Sequence, residues 1–93
     1  MQIAGAINLK TLERKMKKFS CEFVDEIPNY GDLIPIDEFK ESVEYGMFTD
    51  YDGCGNWSDG EKMTAGWGDR VCDLDAIDQA IEFGVTHVMW FNK

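Results

Sequence analysis

The C-terminal stretch VTHVMWFNK, residues 85–93, constrains the fold more than any other part of the chain. It is rich in β-branched and aromatic residues, which favour β-strands. Successive side chains of a strand point to opposite faces, so the neighbours Trp90 and Phe91 cannot both face the same layer. Because apolar residues occupy both sets of positions, we expect a strand that is buried on both faces and therefore central in its sheet.

Three other stretches, residues 8–19, 35–46 and 73–84, place apolar residues at helical spacing and predict helices. The residues expected to cap or end these helices are Asn8, Gly46, Asp73 and Gly84. The apolar stripes are Leu9, Leu12, Met16 and Phe19 in the first helix, Ile36, Phe39 and Val43 in the second, and Leu74, Ile77 and Ile81 in the third.

The remaining residues predict a hairpin, with MFTDY (47–51) and KMTAGW (62–67) as strands and DGCGN (52–56) at the turn. Residues 21–27 suggest a short extended stretch, followed by a loop at 28–31. We therefore predict an α+β fold in a single domain, residues 1–93, with element order α-α-β-β-α-β. A small antiparallel sheet of about three strands would carry two to three helices on one face.

The stretch FTDYDGCGNWSDGE, residues 48–61, also matches a calcium-binding EF-hand loop at several positions. Counted from Asp50, carboxylates fall at positions 1, 3 and 12 and a glycine at position 6. Cys54 at position 5 is a poor ligand for a hard cation, and the flanking residues do not continue as helices. A hairpin turn, in which Asp52-Gly53 and Gly55-Asn56 supply positive φ angles, is the favoured interpretation.

Charge is distributed unevenly along a chain whose net charge is −9. Residues 10–18 hold five of the nine basic residues, whereas the chain after Phe19 carries four basic and seventeen acidic residues. Such an acidic body disfavours direct binding to nucleic acid, since phosphate contacts need lysine and arginine. It favours basic partners, including proteins that bind nucleic acid, although acidity also serves solubility alone.

The sequence offers little support for an enzyme, a membrane protein or a cofactor site. No apolar run approaches the ~20 residues that a membrane span needs, and the N-terminus is a poor signal peptide. The spacing of Cys21, Cys54 and Cys72 fits no zinc motif, so free thiols are expected. His87 is the sole histidine and is expected to pack in a strand rather than to act in catalysis.

The order of LIPIDEFKESVEYGMFTDYDGCGNW (33–57) and THVMWFNK (86–93) resembles small phage-encoded accessory proteins of unassigned activity. Their shared patterns are F-x-DYDG-x-G and THV-x-WFN, and the resemblance covers roughly residues 33–93. It implies an accessory protein made during infection, in the cytoplasm of the host cell. Small acidic proteins of this kind commonly block host defence machinery, as anti-CRISPR proteins do. The resemblance carries no catalytic residues.

Three hypotheses follow from these observations. The first is a non-enzymatic inhibitor that binds a basic host defence protein through an acidic surface that mimics nucleic acid, without cofactor or metal. The second is a sponge for a signalling nucleotide, with an aromatic pocket closed by homodimerisation. The third is a calcium-binding module. For the first hypothesis, the predicted partner-binding residues are Asp50, Asp52, Asp59, Glu61, Asp75, Asp78 and Glu82.

Overall fold

The computed structural model describes residues 19–93, which form one five-stranded antiparallel sheet and two helices. The elements are β1 (Phe23–Glu26), β2 (Asp32–Pro35), α1 (Ile36–Glu44), β3 (Gly53–Ser58), β4 (Lys62–Thr64), α2 (Leu74–Phe83) and β5 (His87–Asn92). The α+β class and the antiparallel sheet are confirmed. The expected three strands and the expected order are wrong, and the predicted helix at 8–19 lies outside the described residues except for Phe19.

The strand β5 lies inside the sheet, whose order is β1-β4-β3-β5-β2. It pairs with β3 on one side and with β2 on the other. Val88, Met89 and Trp90 are all buried, while Phe91 is half-buried on the face opposite Trp90 and contacts Tyr30. The prediction of a central strand at the C-terminus is therefore confirmed.

The predicted hairpin is wrong in its first strand and in its turn, whereas β4 (Lys62–Thr64) confirms the start of its second strand. Residues 47–52 form bends and turns, and the glycine-rich stretch that follows them is the strand β3. The tight turn lies further on, at residues 59–61, where Gly60 has a φ of 98°. Neither Gly53 nor Gly55 has a positive φ.

Gly53 and Gly55 instead allow other groups to approach the backbone of β3. A Cβ atom on Gly53 would lie 2.2 Å from the carbonyl oxygen of Phe91 and 2.7 Å from the Trp90 ring. A Cβ atom on Gly55 would lie 2.8 Å from a methyl group of Val71. These distances are below van der Waals contact, so both positions require glycine for space rather than for a turn.

The strands β1 and β2 occupy the two edges of the sheet. β1 corresponds to the extended stretch expected near residues 21–27, whereas β2 was not expected. The edge position explains why β2 can end in Pro35, since an edge strand leaves backbone groups unpaired. Both strands are short and carry acidic residues, which discourages pairing with further strands.

The helices α1 and α2 begin and end where their sequences predict. The Asp73 carboxylate accepts hydrogen bonds from the backbone N–H groups of Asp75 and Ala76, and Gly84 ends α2 with a φ of 114°. Pro35 precedes α1, and Gly46 follows it with a φ of 77°. Both helices thus end before a glycine with a positive φ or at one, and α2 also has a side-chain cap at its N-terminus.

Both helices pack on the same face of the sheet, as expected. The buried core on this face joins Phe39 of α1 and Ile77 and Ala80 of α2 to Trp57, Val88 and Trp90 of the central strands. The Phe39 ring stacks on Phe48 with centroids 4.9 Å apart, and both rings contact Trp90. The helices lie antiparallel to one another, since α1 starts and α2 ends beside Thr86.

We expect Gly53→Ala to destabilise the fold by about 2 kcal/mol or more, because the new methyl group would meet a backbone carbonyl that cannot move aside. Gly46→Ala is the matched control. A Cβ atom at position 46 would meet no other atom within 4 Å. The substitution should therefore lower the unfolding free energy only by the strain of a left-handed backbone, about 1 kcal/mol. Chemical denaturation of both variants measures the difference. Equal losses would contradict the close-approach explanation.

The Asp73 carboxylate should also make the stability of the fold depend on pH. Partial burial acts to raise its pKa, but hydrogen bonds from the Ala76 and Asp75 N–H groups and from Arg70 outweigh it and lower the pKa. A carboxylate with a lowered pKa stabilises the fold above its unfolded pKa, and this stabilisation is lost as the pH falls through the folded value.

Asp73→Ala should therefore lower the unfolding free energy by about 1 kcal/mol at neutral pH, the usual loss for an N-cap. Urea unfolding at a series of pH values should show the difference from the unsubstituted protein shrinking as the pH falls below the ordinary range of an aspartate. Glu61→Ala, at an exposed acid outside the helices, serves as control. A difference that stayed constant with pH would count against the cap as its source.

Candidate partner-binding surface

All seven acids predicted from sequence are exposed, but they do not form one cluster. Asp50 and Asp52 precede β3, whereas Asp59 and Glu61 lie in the turn after it. A strand of six residues separates the two pairs by about 20 Å, given ~3.3 Å per residue. The remaining three, Asp75, Asp78 and Glu82, belong to α2.

The same separation excludes an EF-hand arrangement for residues 50–61. Positions that should wrap around one ion are instead stretched along β3, with the first and last candidate ligands at opposite ends of the strand. Within residues 19–93, no three side chains of the His, Cys, Asp and Glu types come together as a group that could hold a metal ion.

Asp59 has a structural role in its turn. Its carboxylate accepts hydrogen bonds from the backbone N–H groups of Lys62 and Glu61, at 2.8 and 2.9 Å. These bonds lower the pKa of Asp59. The neighbouring Ser58 is buried, donates its hydroxyl to the Lys62 carbonyl and accepts from the Gly60 N–H. The turn at 59–61 is thus held by its own side chains.

Asp50 and Asp52 lie where the C-terminus meets the start of β3. The Thr49 hydroxyl donates to the Asp52 carboxylate at 2.7 Å, and the backbone N–H of Lys93 donates to the Asp52 carbonyl. Burial, followed by the charge and hydrogen bond of Asp50 and the charge of Asp52, raises the pKa of the Cys72 thiol to about 11. Cys72 therefore stays protonated at neutral pH and is a poor nucleophile.

A larger acidic surface lies on the outside of the two helices, and we call it the helical face. The two helices contain one lysine, Lys40. Its ammonium group lies 2.7 Å from the Asp78 carboxylate and links α1 to α2. The carboxylates of the helical face are Asp37, Glu38, Glu41 and Glu44 from α1 and Asp75, Asp78 and Glu82 from α2, all exposed. The face therefore has a strongly negative potential, which attracts cations.

The four acids of α1 were missing from the predicted set. The sequence did contain the necessary signal, because the spacing that buries Ile36 and Phe39 turns the intervening residues outward. The antiparallel packing of α1 beside α2, which combines the acids of both helices, is tertiary information.

Several large aromatic side chains are exposed. Trp57 and Trp90 are buried, as expected for residues that fill the core, but Trp67 is 100% exposed and Tyr51 is 92% exposed. Tyr30 and Tyr45 are 80% and 76% exposed. Exposed aromatic residues of this size are typical of protein-binding surfaces.

The loop that carries Trp67 is fixed to the sheet by Asp69. The backbone N–H of Asp69 donates to the Gly55 carbonyl at 2.7 Å, and its carboxylate accepts from the Trp57 N–H at 3.1 Å and from the Thr64 hydroxyl. The side chain of Asp69 thus takes the place of a strand partner where β4 has ended. The amide of Asn56 adds a hydrogen bond to the Thr64 carbonyl.

The surface of the described residues includes concave regions beside α1 and beside β1. A groove of about 490 Å³ beside α1 includes Glu38, Glu41, Tyr45 and Met47 in its lining. A second, of about 280 Å³ beside β1, includes Glu22, Val24 and Asp69. None of the described residues that line either region is a lysine or an arginine.

His87 lies in β5, half-buried, with its Nδ1 atom 2.8 Å from the Thr86 hydroxyl. The nearest serine across the sheet, Ser58, is fully buried and has its hydroxyl engaged in the turn. This pair does not have the arrangement that an activated serine needs, in which the hydroxyl donates to the imidazole.

Comparison with known proteins finds no matching family model, no matching curated protein and no matching solved structure. Neither α1 nor α2 is long and apolar enough to cross a membrane. The surface of the protein is therefore the guide to its function, and the resemblance to phage accessory proteins stays an expectation.

We expect Asp69→Ala to reduce stability by about 2–3 kcal/mol, because it leaves the Trp57 N–H, which lies inside the sheet, without an acceptor. Asp69→Asn keeps one oxygen at this position and should lose less. Chemical denaturation gives the stabilities, and hydrogen exchange at the Trp57 amide reports the lost bond. Unchanged exchange in Asp69→Ala would contradict the role assigned to the carboxylate.

Proposed function

We propose that this protein is a non-enzymatic inhibitor that binds a basic, nucleic-acid-binding protein of the host through its helical face. In the setting that the sequence resemblance implies, it is a phage accessory protein that acts in the host cytoplasm against a defence factor. The observation that carries the proposal is the concentration of seven exposed carboxylates on two adjacent helices, with Lys40 as the one positive charge of those helices.

A surface of this kind competes with nucleic acid for a cationic site. Rows of carboxylates present negative charge at the spacing of helix turns, and a basic groove that evolved to hold phosphates is attracted to them. Binding of this type is steered by long-range electrostatics and weakens as salt shortens the Debye length. The proposal needs no catalytic residue and no bound cofactor.

The alternative hypotheses have less support among the described residues. A nucleotide sponge needs positive charge next to its pocket, whereas the concave regions beside α1 and β1 include acids and no lysine or arginine among their described residues. The basic residues 10–18, on which that hypothesis relies, lie outside the described residues. A calcium-binding module would need ligands that converge, and residues 50–61 are spread along a strand.

The test uses two variants with the same change in net charge. The helical-face variant combines Glu38→Gln, Glu41→Gln, Glu44→Gln and Glu82→Gln. The control variant combines Glu22→Gln, Asp25→Asn, Glu26→Gln and Glu61→Gln, which are exposed acids in β1, directly before it, or in the β3–β4 turn. Lysate of bacterial host cells, treated with nuclease, is passed over each immobilised protein, and the retained proteins are then purified for direct binding.

We expect the lysate to yield a basic protein that binds the unsubstituted chain and the control variant with similar affinity. The same protein should bind the helical-face variant at least roughly tenfold more weakly. Duplex DNA should compete with it, and ~0.5 M salt should weaken it strongly. Equal binding by both variants, or binding that resists salt, would show that the helical face is not the recognition surface.

A further inference from the structure

The exposed aromatic residues gather at one end of the fold. The pairing of Gly53 with Asn92 and of Asp32 with Trp90 places the start of β3, the end of β5 and the start of β2 at a common end. The helix α1 begins beside Thr86, at the opposite end of the sheet. It runs back along the sheet and therefore ends near this common end. We call this the aromatic end, and its exposed members are Tyr30, Tyr45, Met47, Tyr51 and Trp67.

Every tyrosine of the chain is in this group, and none of the three is needed for the core. The opposite end, at the 59–61 turn and the end of α2, exposes Phe83 only to 46%. Apolar surface exposed to water gives no stability to the fold. The five most exposed large apolar side chains of the described residues all lie at the aromatic end, and this concentration points to a contact with another molecule.

Trp67 lies in a loop that is attached to the sheet. It lies between Gly66 and Gly68, whose φ angles of 107° and 122° place the backbone in the left-handed region that glycine favours. Gly68 lies against Cys54 of β3, and the next residue, Asp69, fixes the loop to the sheet. The fully exposed indole is therefore attached to a loop whose backbone is held to the sheet next to it, and a large exposed tryptophan is typical of an anchor residue.

Carboxylates accompany the aromatic rings at this end. Asp50 and Asp52 flank Tyr51 in sequence, Glu44 precedes Tyr45, and Asp75 lies in the first turn of α2. Among the described cations of this end, Arg70 pairs with Asp73, and the ammonium group of Lys93 donates to the Asp50 carbonyl. The end thus combines negative charge with exposed π faces.

We propose that the aromatic end is a docking surface for an arginine-rich segment of the basic partner, with Trp67 as its anchor. A guanidinium group stacks on an indole or phenol ring and at the same time donates to carboxylates in its plane. Tyr51, with Asp50 and Asp52 beside it, offers both contacts within three successive residues. The inference rests on the proposed function and adds the chemistry of the segment that is recognised.

Two other occupants fit less well. A nucleotide base could stack on Trp67, but its phosphates would approach Asp50 and Asp52 and be repelled. A second copy of the aromatic end would bring the same carboxylates face to face, which like charges disfavour. An arginine-rich segment can stack on the aromatic rings and pair with the carboxylates at the same time.

The experiment titrates the isotope-labelled full chain with a peptide of five Arg-Gly repeats and follows backbone amide and indole N–H resonances by NMR. Peptides of five Lys-Gly repeats and five Glu-Gly repeats, AMP and a cyclic dinucleotide are the comparison probes. Trp67→Ala is the test variant, and Phe83→Ala, at the opposite end, is the matched control. The buried Trp57 and Trp90 indoles report whether each variant stays folded.

We expect the arginine peptide to shift the Trp67 indole and amides of residues 44–52 and to bind about threefold or more tightly than the lysine peptide. Trp67→Ala should weaken it about tenfold, a change typical of an anchor residue, and Phe83→Ala by less than twofold. Shifts confined to the outer residues of α1 and α2 would overturn the inference while leaving the proposed function intact.

Stronger shifts with AMP or the cyclic dinucleotide would also overturn it, in favour of base stacking. Sedimentation shows whether the free protein self-associates, and a dimer that Trp67→Ala abolishes would assign the surface to a second copy instead. Conversely, a partner retained by the helical-face variant but lost by Trp67→Ala would support the aromatic end and refute the helical face as the main contact.

Discussion

The close approach of Trp90 to the bare backbone of Gly53 is the contact on which the rest of the structure depends. Trp90 is 1% exposed, and its ring occupies the volume that a side chain at position 53 would fill. Phe39 and Phe48 then pack on the same ring, so the helical layer is fixed to the sheet through it. A side chain at position 53 would take the volume of the Trp90 ring. The strands β3 and β5 could then not pair in this register with the helices packed on the same face.

This packing also determines where the charges go. Because the helices use one face to cover the sheet, their acids must lie on the other, and the antiparallel arrangement of α1 and α2 brings two acidic rows together. The ion pair between Lys40 and Asp78 relieves the repulsion between the helices at one point. The remaining carboxylates repel one another in the free protein, and a cationic partner would remove that cost.

The aromatic end has a different origin. Its residues are in the connections between elements, which carry side chains that the core does not need. Asp69 attaches the loop of Trp67 to the sheet, since its backbone and carboxylate continue the hydrogen bonding of β3 where β4 has ended. The structure thus has two adjoining features of interest, an acidic face on the helices and an aromatic, acidic end beside it. A protein with a basic groove and an arginine-rich edge could contact both.

The sequence by itself determined α1, α2 and β5, because periodicity, caps such as Asp73 and Gly84, and a two-sided apolar strand are local signals. It also fixed the acidic character of the body. Only the tertiary structure decided the role of Gly53 and Gly55, since a glycine in a turn and a glycine in close contact look alike in a sequence. The edge strand β2 likewise depends on a partner more than fifty residues away, at Trp90. The residues of the candidate surface could be predicted only in part. The exposure of single residues can be judged from the sequence. The grouping of acids from α1 with those from α2, and of three tyrosines with Trp67, is set by how the elements pack.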